Sequence, residues 1–156
     1  MANRAKELVR RLTEMNMKAA AAESCTAGLA ADLIARIPGA SKVWWGSWVS
    51  YTPEAKMRML GVREETLAKF GAVSRETACE MAVGALGNSN ADYAFSVTGV
   101  AGPGSDNLIP AGTVWIATVK NGKNAEAELF RFSGSRNSIR KKAAKKALEE
   151  LIKIIP

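Results

Sequence analysis

Met17–Arg36 reads MKAAAAESCTAGLAADLIAR, and its two halves ask for different backbones. The stretch Met17–Ser24 is short, mostly alanine and bounded by polar residues, so its length favours a buried strand over a helix. From Thr26 to Arg36 the residues are small and apolar (Ala27, Leu29, Ala30, Leu33, Ile34), and Pro38-Gly39 stops the pattern. A short strand running through Ser24 into a helix of small residues predicts a helix packed closely on a sheet, the unit from which α/β folds are assembled.

Working outward, Asn3–Asn16 places Leu8, Leu12 and Met15 on one face, with Ala5 and Val9 beside them, and predicts an amphipathic helix. Val43–Tyr51 is β-branched and aromatic and reads as a strand; Thr52-Pro53 then supplies an N-cap and a first-turn proline for a short helix to about Leu60. Ser74 caps a longer helix to about Leu86, with Glu76 near its positive end. Asp92–Thr98 alternates as a strand and breaks at the turn Gly99, Gly102, Pro103, Gly104. Gly112–Lys120 and Asn124–Phe132 read as strands joined at Asn121-Gly122, a type I′ hairpin signal. The last helix, from about Ser138, turns Ala144, Leu148, Leu151 and Ile155 inward and Lys141, Lys142, Lys145, Lys146 and Lys153 outward. Helices alternating with strands early and a hairpin late predict a three-layer α/β/α domain with a mixed sheet, one domain over residues 1–156.

Composition removes several chemistries. The chain has 156 residues and no histidine, which excludes Ser-His-Asp triads, Cys-His dyads and histidine-rich zinc sites. Two well-separated cysteines, Cys25 and Cys79, offer neither a zinc knuckle nor a disulfide framework and point to a reduced, cytoplasmic setting. There is no apolar run long enough for a membrane span and no signal-peptide core near the N-terminus. Of the net charge of +7, most sits from Arg131 to Pro156, where eight basic residues face two acidic ones.

Three places carry candidate chemistry. Ser24 stands between the strand and the first turn Thr26-Ala27-Gly28, where a hydroxyl lies beside helix N–H groups able to hold an oxyanion or a phosphate; the commoner use of such a residue is a plain N-cap. With no histidine, a serine nucleophile needs a lysine or a carboxylate as base. Lys56 follows a second strand-to-helix junction, and burial at the same sheet edge would lower its pKa toward neutrality, whereas an exposed helix lysine is the bland alternative. Thr98-Gly99-Val100-Ala101-Gly102-Pro103-Gly104 matches neither dinucleotide nor P-loop fingerprints and implies close backbone approach to a ligand or a neighbouring loop.

Taken in order, Ala22-Glu23-Ser24-Cys25-Thr26-Ala27-Gly28, Gly39-Ala40-Ser41, Tyr51 with Glu54-Ala55-Lys56, Leu60-Gly61-Val62, Gly71-Ala72-Val73-Ser74, Thr98 to Pro103 and Gly112-Thr113-Val114 resemble the CinA C-terminal domain family over nearly the whole chain. The enzymatic members of that family are nicotinamide mononucleotide deamidases with a Ser-Lys type of site, and the chain looks like a stand-alone form. The resemblance implies Ser24 as nucleophile, Lys56 as base and Tyr51 as an assisting residue. It implies a substrate pocket including Thr98 and Arg136, to which the helix entry at Thr26, Ala27 and Gly28 and the turn residues Gly99, Ala101 and Gly102 add candidate binding groups through their backbone N–H groups and close approach. It further implies nicotinamide mononucleotide or a similar small nucleotide as substrate, no metal or other cofactor, and self-association into a homo-oligomer. The chain departs from the pattern at Pro53, Ser47 and Ile109, where many relatives have asparagine, glycine and lysine.

Other features have plainer readings. Trp44, Trp45, Trp48 and Trp115 are expected as core or subunit-contact residues, and Trp44 and Trp45, as strand neighbours, point opposite ways. Cys25 is a neighbour of the proposed nucleophile. The lysine-rich last helix carries no interleaved aromatics, so nucleic acid is disfavoured as a partner. The rival to an amidohydrolase is a non-catalytic nucleotide-binding or DNA-associated accessory domain of the same fold.

Overall fold

The alanine run forms an interior strand of the sheet. The computed structural model describes residues 2–156. In chain order the elements are α1 (Ala2–Met15), β1 (Ala19–Glu23), α2 (Leu29–Ala35), a 3-10 turn (Ala40–Lys42), β2 (Trp44–Val49), α3 (Pro53–Leu60), α4 (Glu64–Phe70), α5 (Arg75–Gly87), β3 (Tyr93–Gly99), β4 (Thr113–Lys120), β5 (Glu126–Arg131) and α6 (Arg136–Ile154). The strand order is β2-β1-β3-β4-β5. β1 is parallel to both β2 and β3, while β4 is antiparallel to β3 and to β5, so the sheet is mixed.

Strand alternation assigns the two faces. Ala19 and Ala21 of β1, with Tyr93, Phe95 and Val97 of β3, join the core under α1, α2 and α6. Ala22, Ala94, Ala117 and Val119 face α3 and α5 on the other side. Alanine at four of the five β1 positions lets both helical layers approach a strand buried along its whole length. The result is the expected three-layer α/β/α domain, and none of its described helices is long and apolar enough to cross a membrane.

Several local expectations are met with their chemistry. Thr52 Oγ1 accepts from the Ala55 N–H, with Pro53 opening α3, and Ser74 Oγ accepts from the Thr77 N–H at the start of α5. Trp44 stacks toward Phe95 in the core, while Trp45 is 43% exposed and lies against Trp48. The register between β1 and β2 slips at Ala19/Ala20, leaving Trp45 outside the pairing, which adds a bulge to the simple alternation.

Other expectations are corrected. The hairpin between β4 and β5 exists, but its turn is not type I′, because only Gly122 has a positive φ (80°) and the turn closes by Lys123 N–H donating to Lys120 O. Pairing resumes only at Thr118 with Glu126, so the loop is longer than two residues. Helix α4 and the 3-10 turn have no strong signal in the sequence. α4 lacks a side-chain cap, and Arg63 at its start is tied instead to Glu80 of α5 through both its N–H and its guanidinium. α2 begins at Leu29 rather than Thr26, and the reason lies in the site.

Candidate active site

β1, β2 and β3 run parallel, so their C-terminal ends open on one edge of the sheet, the position where α/β folds place ligands. Ser24 follows β1 directly and Ser50 follows β2; the Ser24 N–H donates to Val97 O and the Ser50 N–H to Glu23 O, which extends the ladder one residue past each strand. α3 then turns back over this edge and delivers Lys56. Lys56 Nζ donates to Ser24 Oγ at 2.9 Å and to Ser50 O at 2.9 Å, with the lysine only 1% exposed. No carboxylate pairs with it among the described residues. Burial of the ammonium pushes the Lys56 pKa down to about 8.

A cavity of about 470 Å³ opens in front of this pair. Ser24, Cys25 and Lys56 form its floor; Thr98, Gly99, Ala101 and Gly102 of the glycine-rich turn form one wall, and Tyr51, Pro53 and Arg136 another. Ala72 and Val73 close one side and Ser105, Asp106 and Asn107 the rim. Thr98 Oγ1 donates to Ala72 O at 2.7 Å, fixing the Gly71–Ser74 loop against the end of β3. A Cβ on Gly99 would lie 2.7 Å from Thr113 O, so the close approach foreseen for this glycine is to the backbone of β4, while the rest of the turn faces the cavity.

Two of the sequence assignments change. Thr26, Ala27 and Gly28 do not line the cavity; the N–H groups of Ala27 and Gly28 are committed elsewhere, and the Thr26 hydroxyl is buried without a partner. Glu23, 0% exposed, accepts from the N–H groups of Gly28, Ala30 and Ala31 and from the Ser47 hydroxyl, all at 3.0–3.1 Å. Its carboxylate thus caps α2 from within, which is why the helix starts late. Ala27 N–H donates to Ser24 O, leaving neither residue free to hold an oxyanion. Tyr51 does line the cavity, but its hydroxyl is bonded to Arg136 Nη2 at 2.9 Å rather than to Ser24 or Lys56. The same guanidinium donates through Nη1 to Gly102 O, so Arg136 bridges the two walls.

Three residues of the site escape sequence reading: Glu23, Ser50 and Arg140. Ser50 is fully buried and offers its carbonyl to Lys56 while its hydroxyl is unpartnered. Arg140 reaches from α6 to Cys25 O (2.9 Å) and Thr26 O (3.2 Å). An acid directly before a serine at a helix entry is a usable signal for Glu23; nothing local marks the other two. Burial raises the Cys25 thiol to about 11, so this sulfur is a poor nucleophile beside Ser24. No group of three His, Cys, Asp or Glu side chains is placed to hold a metal ion among the described residues.

Comparison with known proteins identifies the family and its fold. The model of the CinA C-terminal domain matches residues 1–155. A "CinA-like protein" of Endomicrobium trichonymphae is 49% identical over 143 residues, 91% of this chain and 33% of that protein. The chain spans about a third of the length of several such curated relatives (33–36%). The "Nicotinamide-nucleotide amidohydrolase PncC" of Escherichia coli K12 is 46% identical over 131 residues, covering 83% of this chain and 79% of that protein. Among solved structures, the competence/damage inducible protein CihA of Agrobacterium tumefaciens superposes with a TM-score of 0.94 at 42% identity, covering 97% of this chain and 93% of that one. With the family model running the length of the chain and the fold reproduced in a solved relative, this chain belongs to the CinA C-terminal domain family.

Proposed function

We propose that the chain is an amidohydrolase that converts nicotinamide mononucleotide to nicotinic acid mononucleotide and ammonia, with Ser24 as nucleophile and Lys56 as its base. The observation that carries this reading is the 2.9 Å hydrogen bond between Lys56 Nζ and Ser24 Oγ at the floor of a cavity, with the lysine buried and lacking a counter-charge. The relative named nicotinamide-nucleotide amidohydrolase supports the choice of amide.

Neutral Lys56 takes the Ser24 proton as Oγ bonds to the carboxamide carbon, and the carbonyl π pair moves onto oxygen. Collapse of this tetrahedral adduct breaks the C–N bond; Lys56 returns the proton to the leaving nitrogen, which departs as ammonia. Water then attacks the Ser24 ester, giving its proton to Lys56. The second collapse restores the Ser24 hydroxyl with that proton and releases the carboxylic acid. Ser50 O fixes the lysine so that its remaining direction is toward Ser24. Arg136, the cationic side chain bridging the cavity walls, is suited to the substrate phosphate, with Tyr51 holding it in place.

Ammonia release from nicotinamide mononucleotide without added metal tests the reading. Wild-type protein is expected to turn over, and Ser24→Ala to lose at least ~100-fold of the rate with its fold intact. Turnover of Ser24→Ala at the wild-type rate would overturn the assignment.

A further inference from the structure

The proposed hydrolysis leaves a gap at the oxyanion. A carbonyl oxygen gaining negative charge beside Ser24 needs donors fixed in advance, and the N–H groups that open α2 are spent on Glu23 and on Ser24 O. Cys25 is different: it lines the cavity directly after Ser24, and its N–H has no oxygen acceptor among the described residues. This amide belongs to the peptide whose carbonyl, Ser24 O, is held by the Ala27 N–H at 3.0 Å. The following peptide is held by α6, which packs beside α2 on the same face of the sheet. Arg140 Nε donates to Cys25 O at 2.9 Å and Nη2 to Thr26 O at 3.2 Å, while Nη1 is braced by Asn137 Oδ1 at 3.1 Å.

We infer that Arg140 is a positioning residue for the proposed reaction, clamping the turn after Ser24 so that the Cys25 N–H is presented to the oxyanion of the tetrahedral adduct. The inference rests on the amidohydrolase reading above. A planar guanidinium is the side chain suited to this task, because two of its N–H groups reach adjacent carbonyls at once, and a lysine offers only a single point of charge. Arg140, one turn after Arg136 on α6, does not line the cavity itself, so its contribution falls on the chemical step and not on phosphate binding. A donor used only once charge develops is stronger in the transition state than in the ground state and appears in kcat.

The experiment compares wild type, Arg140→Ala, Arg140→Lys and Ser24→Ala in steady-state ammonia release from nicotinamide mononucleotide, with inhibition by the product nicotinic acid mononucleotide and the pH profile of kcat/KM recorded for each active protein. Arg140→Ala is expected to lose about 10- to 100-fold in kcat, with product inhibition within threefold of wild type and the pH midpoint unmoved. Arg140→Lys falls between, and millimolar methylguanidinium restores part of the Arg140→Ala rate. Where Arg140→Ala does not fold, Arg140→Lys carries the same test, with a smaller loss confined to kcat. Unchanged kcat in either variant, a parallel loss of product binding, or a shifted pH midpoint would overturn the inference, the last two because they report a collapsed cavity or an altered Lys56. If Ser24→Ala is as active as wild type, the amidohydrolase mechanism itself falls, an outcome distinct from a silent Arg140.

Discussion

Glu23 and Lys56 are both charged-type side chains taken almost wholly out of water, 0% and 1% exposed, yet their surroundings differ in kind. Glu23 accepts four hydrogen bonds, three from backbone N–H groups and one from Ser47. Lys56 has two neutral acceptors, Ser24 Oγ and Ser50 O, and no ion-pair partner. A buried carboxylate surrounded by fixed donors is a structural joint, because removing it strands every one of those donors. A buried ammonium without a counter-charge is held at a cost to its charged form, and that cost is what makes the neutral amine available near physiological pH. One strand-to-helix junction is therefore built to stay still, and its neighbour is suited to the proton transfer proposed for it.

Mutations at the two positions should move stability in opposite directions. Glu23→Ala, which leaves three helix N–H groups and the Ser47 hydroxyl unpaired, is expected to cost ~3–5 kcal/mol in denaturant unfolding. A loss under ~1 kcal/mol would break the comparison, since the network would then be ornamental.

Lys56→Met is expected to abolish the proposed deamidation and yet stabilise the fold. The folded-state value of about 8 lies below that of an unfolded lysine. Between the two, the unfolded chain binds more protons, so the native state gains stability as pH rises through this window. The penalty is complete below pH 8 and gone above the unfolded value of ~10.4. Replacing the amine with a similar apolar chain should therefore add about 1–3 kcal/mol at pH 7, after allowing for the lost hydrogen bonds, with the advantage shrinking toward pH 10. Equal destabilisation at both pH values would mean that the lysine is a packing residue.

Arg136 sharpens the account of the site beyond these two groups. Arg136→Ala should raise KM for nicotinamide mononucleotide about tenfold and KM for nicotinamide riboside, which lacks the phosphate, far less. If both substrates weaken alike, the glycine-rich turn becomes the better phosphate ligand. The smallest effect is expected at Ser47, the residue that departs from the family's common glycine. Ser47→Ala removes one of the four donors to Glu23 and should cost about 0.5–1.5 kcal/mol, leaving the deamidation rate within twofold.

What was legible in the sequence followed from how far each signal acts. Ser24, Thr98 and the Gly99–Gly102 turn lie at or just after strand ends and Lys56 in the helix that directly follows β2, and parallel strands bring such ends to one edge whatever the intervening residues do. Caps such as Thr52 and Ser74 are local and could be placed to the residue. α4 and the grip of Arg140 on Cys25 depend on partners on other elements, 17 residues away for Arg63–Glu80 and 115 for Arg140–Cys25, so no local pattern announces them. The expected oxyanion donors at Ala27 and Gly28 failed for a related reason: a helix N-terminus was visible in the pattern, but not that the preceding glutamate folds back to occupy it.

The central claim is that Lys56 acts as a neutral amine because burial has lowered its pKa. The most direct measurement is the pH dependence of kcat/KM for ammonia release from nicotinamide mononucleotide between pH 6 and 10.5, beyond the substrate phosphate's own ionisation. The account predicts a single rise with unit slope and a midpoint near 8, absent from the residual rate of Ser24→Ala. A flat profile, or a rise centred above pH 10 where an ordinary exposed lysine titrates, would contradict it.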